Sequence, residues 1–225
     1  MDIKKEPIKL FTIFRAVSIV LIIGIATYVV ITYGNSTINI LVEKSNENLV
    51  VTTLVIFLLF FLKSISFGLP YTVLYIGVSQ IYPLIWALLI NIVGILINMQ
   101  APYFFGRKKG GSVVAKSVAK YPKLEIFLSF KSSSPLVFTF LVKFLGIVPH
   151  EITNLLLGSL AINYLAFNVG GVLGLLPGMV VTTIAGSSLS EPTSPQFIIS
   201  ATLFILLVVF SYYMLARLSK DKNKS

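Results

Sequence analysis

The stretch Lys143-Phe144-Leu145-Gly146-Ile147-Val148-Pro149-His150-Glu151 interrupts an apolar run with a lysine, a histidine, a glutamate and two backbone breakers. Neighbouring runs approach or exceed the ~20 apolar residues that cross a bilayer. An ionisable side chain at membrane depth costs roughly 2.5–3.5 kcal/mol on insertion scales, so packing alone does not account for this mixture. The stretch reads as the tip of a re-entrant hairpin, and a second, inverted hairpin around Lys63 and Pro70 is expected to face it.

The class follows from the runs. They are continuous rather than alternating, which speaks against a β-barrel, and 56% of the residues are hydrophobic. The expected fold is an all-α polytopic membrane protein, one membrane domain without a separate soluble module. The net charge of +10 clusters at Lys4 to Arg15, at Arg107 to Lys131 and at Arg217 to Lys224. The loops between are nearly free of basic residues, as the positive-inside rule requires, so the charge sets orientation and implies no nucleic acid. Both termini are expected in the cytoplasm, with Arg107, Lys108 and Lys109 at the cytoplasmic membrane surface. Without cysteine there is no disulfide, thiolate catalysis or Cys-based metal site. Short loops and the lack of cysteine lean toward a bacterial plasma membrane.

Taken in order, Leu10 to Tyr33 reads as a retained transmembrane helix, too long for the apolar region of a signal peptide. Leu49 to Leu62 is too short to cross, and Lys63, Gly68 and Pro70 break it. The economical solution is a hairpin from outside, with limbs 49–66 and 71–81, followed by a full crossing at 83–105. In the cytoplasmic connector, Lys116, Lys120 and Lys123 recur at helical spacing, as a solvated face or a surface on anionic lipid. The second half repeats this upside down: Pro135 to Val142, an interruption at Lys143, breaks at Gly146 and Pro149, Ile152 to Leu160, then a crossing at 161–186. From Gly77 to Gly106 is 29 residues, and from Gly158 to Gly186 is 28. Inverted repeats with discontinuous helices are a signature of transport folds. The expected organisation is 1–48 for the first helix and outside loop, 49–190 for the inverted-repeat domain, and 191–225 for a last helix and basic tail.

Pro70 and Pro149 stand where each returning half-helix would begin, at the position where the missing proline donor costs nothing. Two helix N-termini would then point at mid-membrane and offer free N–H groups to an anion, with Lys63 and Lys143 adding formal charge. The alternative is that the prolines only turn the chain and the lysines snorkel. His150 and Glu151 could carry protons, or Glu151 could cap its half-helix and neutralise Lys143. Gly170, Gly174 and Gly178 repeat every four residues and make one smooth face, and Pro177 would kink that segment. Asn91 and Asn98, on one face with Gly94, and Asn154 after the second tip all need polar partners. No metal-ligand set, cofactor motif or catalytic constellation emerges.

Several elements together carry a family resemblance over about residues 63–190. They are Tyr103-Phe104-Phe105-Gly106-Arg107, then Lys143, Pro149, Asn154 and Gly158, then Gly174-Leu175-Leu176-Pro177-Gly178. The chain resembles the SNARE-associated Golgi protein, VTT-domain or DedA-like family. It differs in having lysine where the basic residue before the second proline is usually arginine, which loses a bidentate fork for phosphate. It also lacks the acid that many members have in the first hairpin, and it has His150-Glu151 where uncharged residues are common. The resemblance implies scrambling or flipping of lipids, including polyprenyl-phosphate carriers, and no soluble enzyme activity.

The leading expectation is a transporter of phospholipid or polyprenyl-phosphate headgroups through a groove between the hairpins, its partners being membrane lipids with anionic or phosphate-bearing headgroups. The expected headgroup residues are Lys63, Pro70, Lys143, Pro149, His150, Glu151 and Asn154. Two alternatives stand beside it: a proton-coupled transporter of a small soluble solute, and a non-transporting membrane organiser whose glycine faces meet partners or another copy of the chain.

Overall fold

The computed structural model describes residues 48–65, 69–109, 134–146, 148–189, 191 and 193–222. The expected helix at Leu10 to Tyr33, the break residue Gly68 and the connector with Lys116, Lys120 and Lys123 lie outside the described residues. Every regular element described is helical: α1 (Leu49–Lys63), α2 (Tyr71–Ile81), α3 (Leu84–Lys109), α4 (Pro135–Leu145), α5 (His150–Ser159), α6 (Tyr164–Ser187) and α7 (Pro195–Lys222).

Length sorts these helices into two kinds. At 1.5 Å per residue, α1, α2, α4 and α5 reach only about 15–23 Å, short of a ~30 Å hydrocarbon core. In contrast, α3 and α6 are long and apolar enough to cross a membrane. The short helices come in consecutive pairs separated by breaks, and each pair is followed by one long helix.

Local chemistry sets the boundaries. Asn48 caps α1 by accepting from the Val51 amide at 3.2 Å. Ser134 caps α4, with Pro135 at its first turn. Asn163 caps α6 by accepting from the Leu165 and Ala166 amides at 2.9 and 3.2 Å. These side chains satisfy amides that have no partner inside the helix. Lys143 was expected to interrupt its helix, but it occupies the last turn of α4. Lysine is a good helix former and suits a C-terminal turn. The stop is Gly146, in the left-handed region at φ +56°, where a side chain would be strained. The prolines also differ from expectation by one position. Pro70 and Pro149 are N-caps with ψ of 144° and 136°, and the helices begin at Tyr71 and His150. The proline carbonyls accept from Val73 in one case and from Ile152 and Thr153 in the other. The crossing expected to end at Phe105 continues through Arg107, Lys108 and Lys109, which form the last turn of α3, where cations oppose the carbonyl end of the helix dipole.

Packing crosses between the halves. α3 lies along α5, and α6 lies along both α4 and α2. The α3–α5 crossing is backbone to backbone: a Cβ on Gly106 would strike the Leu155 carbonyl, and one on Gly158 would strike the Tyr103 carbonyl. A Cβ on Gly186 of α6 would strike the Ser79 hydroxyl and then the Ile76 backbone of α2. Gly170 and Gly174 meet α4, at the Leu136 and Phe140 carbonyls. Gly178 departs from the expected smooth face, with open space where a Cβ would stand, because by that turn α6 has passed the end of α4. Pro177 lies inside α6, which continues through it.

The core runs through Phe60, Ile95, Met99, Tyr103, Phe138, Leu157 and Phe167, all essentially inaccessible. The outer surface is apolar as well. Ile85 (72% exposed), Trp86, Leu165 and Ile205 face outward, a distribution suited to lipid and unlike a monomeric soluble surface.

Candidate functional site

The two breaks meet. Lys63, the last residue of α1, donates to Glu151 Oε1 on α5 in a buried ion pair. The Lys63 ammonium also lies 4.0 Å from the centroid of the Tyr71 ring, a cation–π contact. Tyr71 in turn stands against the His150 ring, with centroids 5.3 Å apart. It stacks on Tyr75 at 5.5 Å and donates its hydroxyl to Asn98 Oδ1. Asn98 Nδ2 donates to the Phe60 carbonyl at 2.8 Å. The first break is thereby fixed to α3 as well as to the second break.

Lys143 is handled differently. It is 1% exposed, and its ammonium donates to Asn154 Oδ1 and, at 3.3 Å, to the His150 carbonyl. Both acceptors are neutral. The sequence-based alternative in which Glu151 neutralises Lys143 is therefore corrected: Glu151 reaches across to α1 from the second position of α5, while Lys143 turns back onto its own hairpin. His150 Nδ1 and Asn154 Nδ2 are buried without a protein partner among the described residues.

Between the breaks is a cleft of about 320 Å³ lined by Lys63, Leu69, Pro70, Tyr71, Thr72, Pro149, His150 and Glu151. Neither N-cap proline offers a side-chain hydrogen bond to its helix, so the first amides of α2 and α5 at this cleft carry no side-chain cap. Of the residues expected at a headgroup site, Lys63, Pro70, Pro149, His150 and Glu151 line the cleft. Lys143 and Asn154 lie behind it, joined to it through His150. Leu69, Tyr71 and Thr72 were missed from sequence. The signal was that Pro70-Tyr71-Thr72 repeats the positions of Pro149-His150-Glu151.

Other amide side chains also bond across helices. Asn91 Nδ2 donates to Thr183 Oγ1 at 3.0 Å, linking α3 to α6. Near the end of α3, Gln100 bridges Asn168 and Tyr164 at 2.8 and 2.9 Å. Arg107 donates to the Tyr103 hydroxyl at 2.6 Å, and that hydroxyl donates to the Ile162 carbonyl at 2.6 Å. Arg107 thus fixes the junction of α3 with the loop before α6. Lys108 stays exposed, and Lys109 lies over the Phe105 ring at 5.6 Å.

Comparison with curated proteins finds no match, and comparison with solved structures finds none either. The family profile of the VTT domain matches residues 69–188, from the first break to the end of α6. With more than half of its length matched, the chain belongs to the VTT-domain family of membrane proteins, the SNARE-associated Golgi protein and DedA family.

Proposed function

We propose that this protein is a lipid transporter that passes a phosphate-bearing headgroup through the cleft between its two helix breaks. The pairs α1–α2 and α4–α5 are re-entrant hairpins entering from opposite faces, α3 and α6 are the full crossings that follow them, and α7 and the N-terminal apolar run are flanking crossings. Both termini lie in the cytoplasm, and Arg107 to Lys109 sit at the cytoplasmic surface. The observation that carries this reading is the convergence at one cleft of two side-chain-uncapped helix N-termini and the Lys63 ammonium. Free amides at helix starts favour anions, and a lipid phosphate is the anion that a membrane supplies in quantity. The short helices support the hairpin assignment, because neither limb alone spans the hydrocarbon.

The test is reconstitution of the full chain into phosphatidylcholine liposomes with a trace of acyl-labelled anionic phospholipid. Dithionite quenching reports how fast inner-leaflet label reaches the outside. Exchange should exceed that of protein-free liposomes and fall about tenfold or more in Lys143→Met, which removes the buried amine that ties His150 to Asn154 behind the cleft. Exchange no faster than in protein-free liposomes sinks the reading. Proton-dependent uptake of a soluble solute in its place would favour the solute transporter, and neither activity would leave the organiser.

A further inference from the structure

The basic groups around the cleft outnumber its carboxylates. The described groups there that could carry charge are Lys63, Lys143, His150 and Glu151. Lys63 alone offsets the Glu151 carboxylate, so a proton held on Lys143 adds a positive charge that no described carboxylate offsets. Lys63 holds the carboxylate, and Lys143 has only neutral acceptors. A buried cation without a counter-charge is costly, so the cluster favours arrival of an anion. The repeat indicates where the missing charge belongs. Glu151 is the second residue after Pro149, and Thr72 is the second residue after Pro70. Thr72 is exposed in the cleft, at the position where a symmetric carboxylate would complete neutralisation.

We propose that Glu151 is the charge-selecting residue of the cleft. As a built-in anion it fills one half of a two-fold site, so that the cleft accepts a headgroup with one negative charge, a phosphodiester, over a dianionic phosphomonoester. The other half, lined by Thr72, receives the ligand's phosphate. This rests on the reading of the cleft as a headgroup site, and it decides between the two lipid classes that the sequence left open. A second ligand charge would face the Glu151 carboxylate without a cation to meet it. Tyr71 and His150 flank the position with rings rather than further charges.

The experiment compares two lipids that differ by one methyl group, dioleoyl phosphatidic acid and its methyl ester, at pH 7.5. The monoester has a second ionisable proton that the methyl ester lacks, with a pKa near 6 for a phosphomonoester in water, and the comparison is repeated at pH 8.5 to hold it dianionic. Native mass spectrometry of the detergent-solubilised full chain gives their binding ratio, and liposome exchange gives their transport ratio. Wild type should prefer the methyl diester. Glu151→Gln removes the one carboxylate that faces the cleft and should turn the binding ratio toward the monoester by about tenfold or more. Thr72→Glu adds the symmetric carboxylate and should weaken diester binding by a similar factor. Because Thr72 is exposed and an acid suits a helix N-terminus, that variant folds even if Glu151→Gln does not. Equal binding of both lipids by wild type, or ratios and affinities that neither variant moves, overturns the proposal. A diester preference that shifts as stated, without exchange in liposomes, supports charge selection and removes the transport reading instead.

Discussion

Among the described residues two lysines are buried, Lys63 and Lys143, and their surroundings differ in kind. Lys63 has a carboxylate, an aromatic face and the edge of a cleft. Lys143 has an amide oxygen and a backbone carbonyl, and no opening onto the cleft. The Lys63–Glu151 pair links residues 88 positions apart, so it should couple the stabilities of the two hairpins. In a thermal or denaturant series in detergent, Lys63→Gln and Glu151→Gln should each destabilise, and the double variant should cost less than their sum. The coupling energy should be about 0.5–3 kcal/mol, the range for residues in direct contact; strict additivity would mean that the pair does not hold the hairpins together. Tyr71→Phe removes the hydroxyl on Asn98 and leaves a buried amide oxygen unpaired, which should cost about 1–3 kcal/mol. At this scale the sequence marked the ionisable residues but not their partners. Local reasoning paired Glu151 with Lys143, its near neighbour in the chain. Only the approach of the two breaks brings Lys63 to it.

The helices were legible to within a few residues from the apolar runs and breakers, and the structure shows what fixes several ends: Asn48, Ser134 and Asn163 cap the starts, and Gly146 stops α4. The prolines were harder to read. Proline fits both the first helical position and the cap, and only the extended ψ at Pro70 and Pro149 separates the two. Glycine is ambiguous for a related reason, since a four-residue repeat shows which residues share a face but not where the neighbouring helix ends. The structure divides the glycines by what a side chain would meet, and this gives a matched comparison. Gly106→Ala or Gly158→Ala drives a methyl into the backbone of the opposing helix at the α3–α5 crossing and should destabilise by about 1–3 kcal/mol, as overpacking does. Gly178→Ala meets open space inside a helix, where alanine is favoured over glycine by about 0.8–1.0 kcal/mol, so it should be neutral or stabilising. Melting midpoints of the three variants in one detergent check this. A Gly178→Ala loss as large as that of Gly158→Ala would contradict the packing described here.

At the scale of the whole molecule, the repeat visible in sequence is assembled by exchange. Each long helix runs beside the returning short helix of the other half, α3 on α5 and α6 on α2, and a glycine near the end of each long helix marks the contact. No reading of one repeat alone reveals this, because periodicity describes faces and not which neighbour covers them. The exchange has a mechanical consequence: the two breaks cannot separate without also parting α3 from α5 and α6 from α2, so the cleft is held from both sides. The chain's lack of cysteine makes the juxtaposition directly testable. Thr72→Cys and His150→Cys introduce thiols on opposite walls of the same cleft, one from each half. A short bifunctional maleimide added to the full chain in liposomes should join them, and cleavage of the chain between α3 and α4 should then leave the two pieces covalently linked. If each single-cysteine variant is labelled but the double variant never cross-links, the breaks do not face one another in the membrane, and the shared headgroup cleft is lost with them.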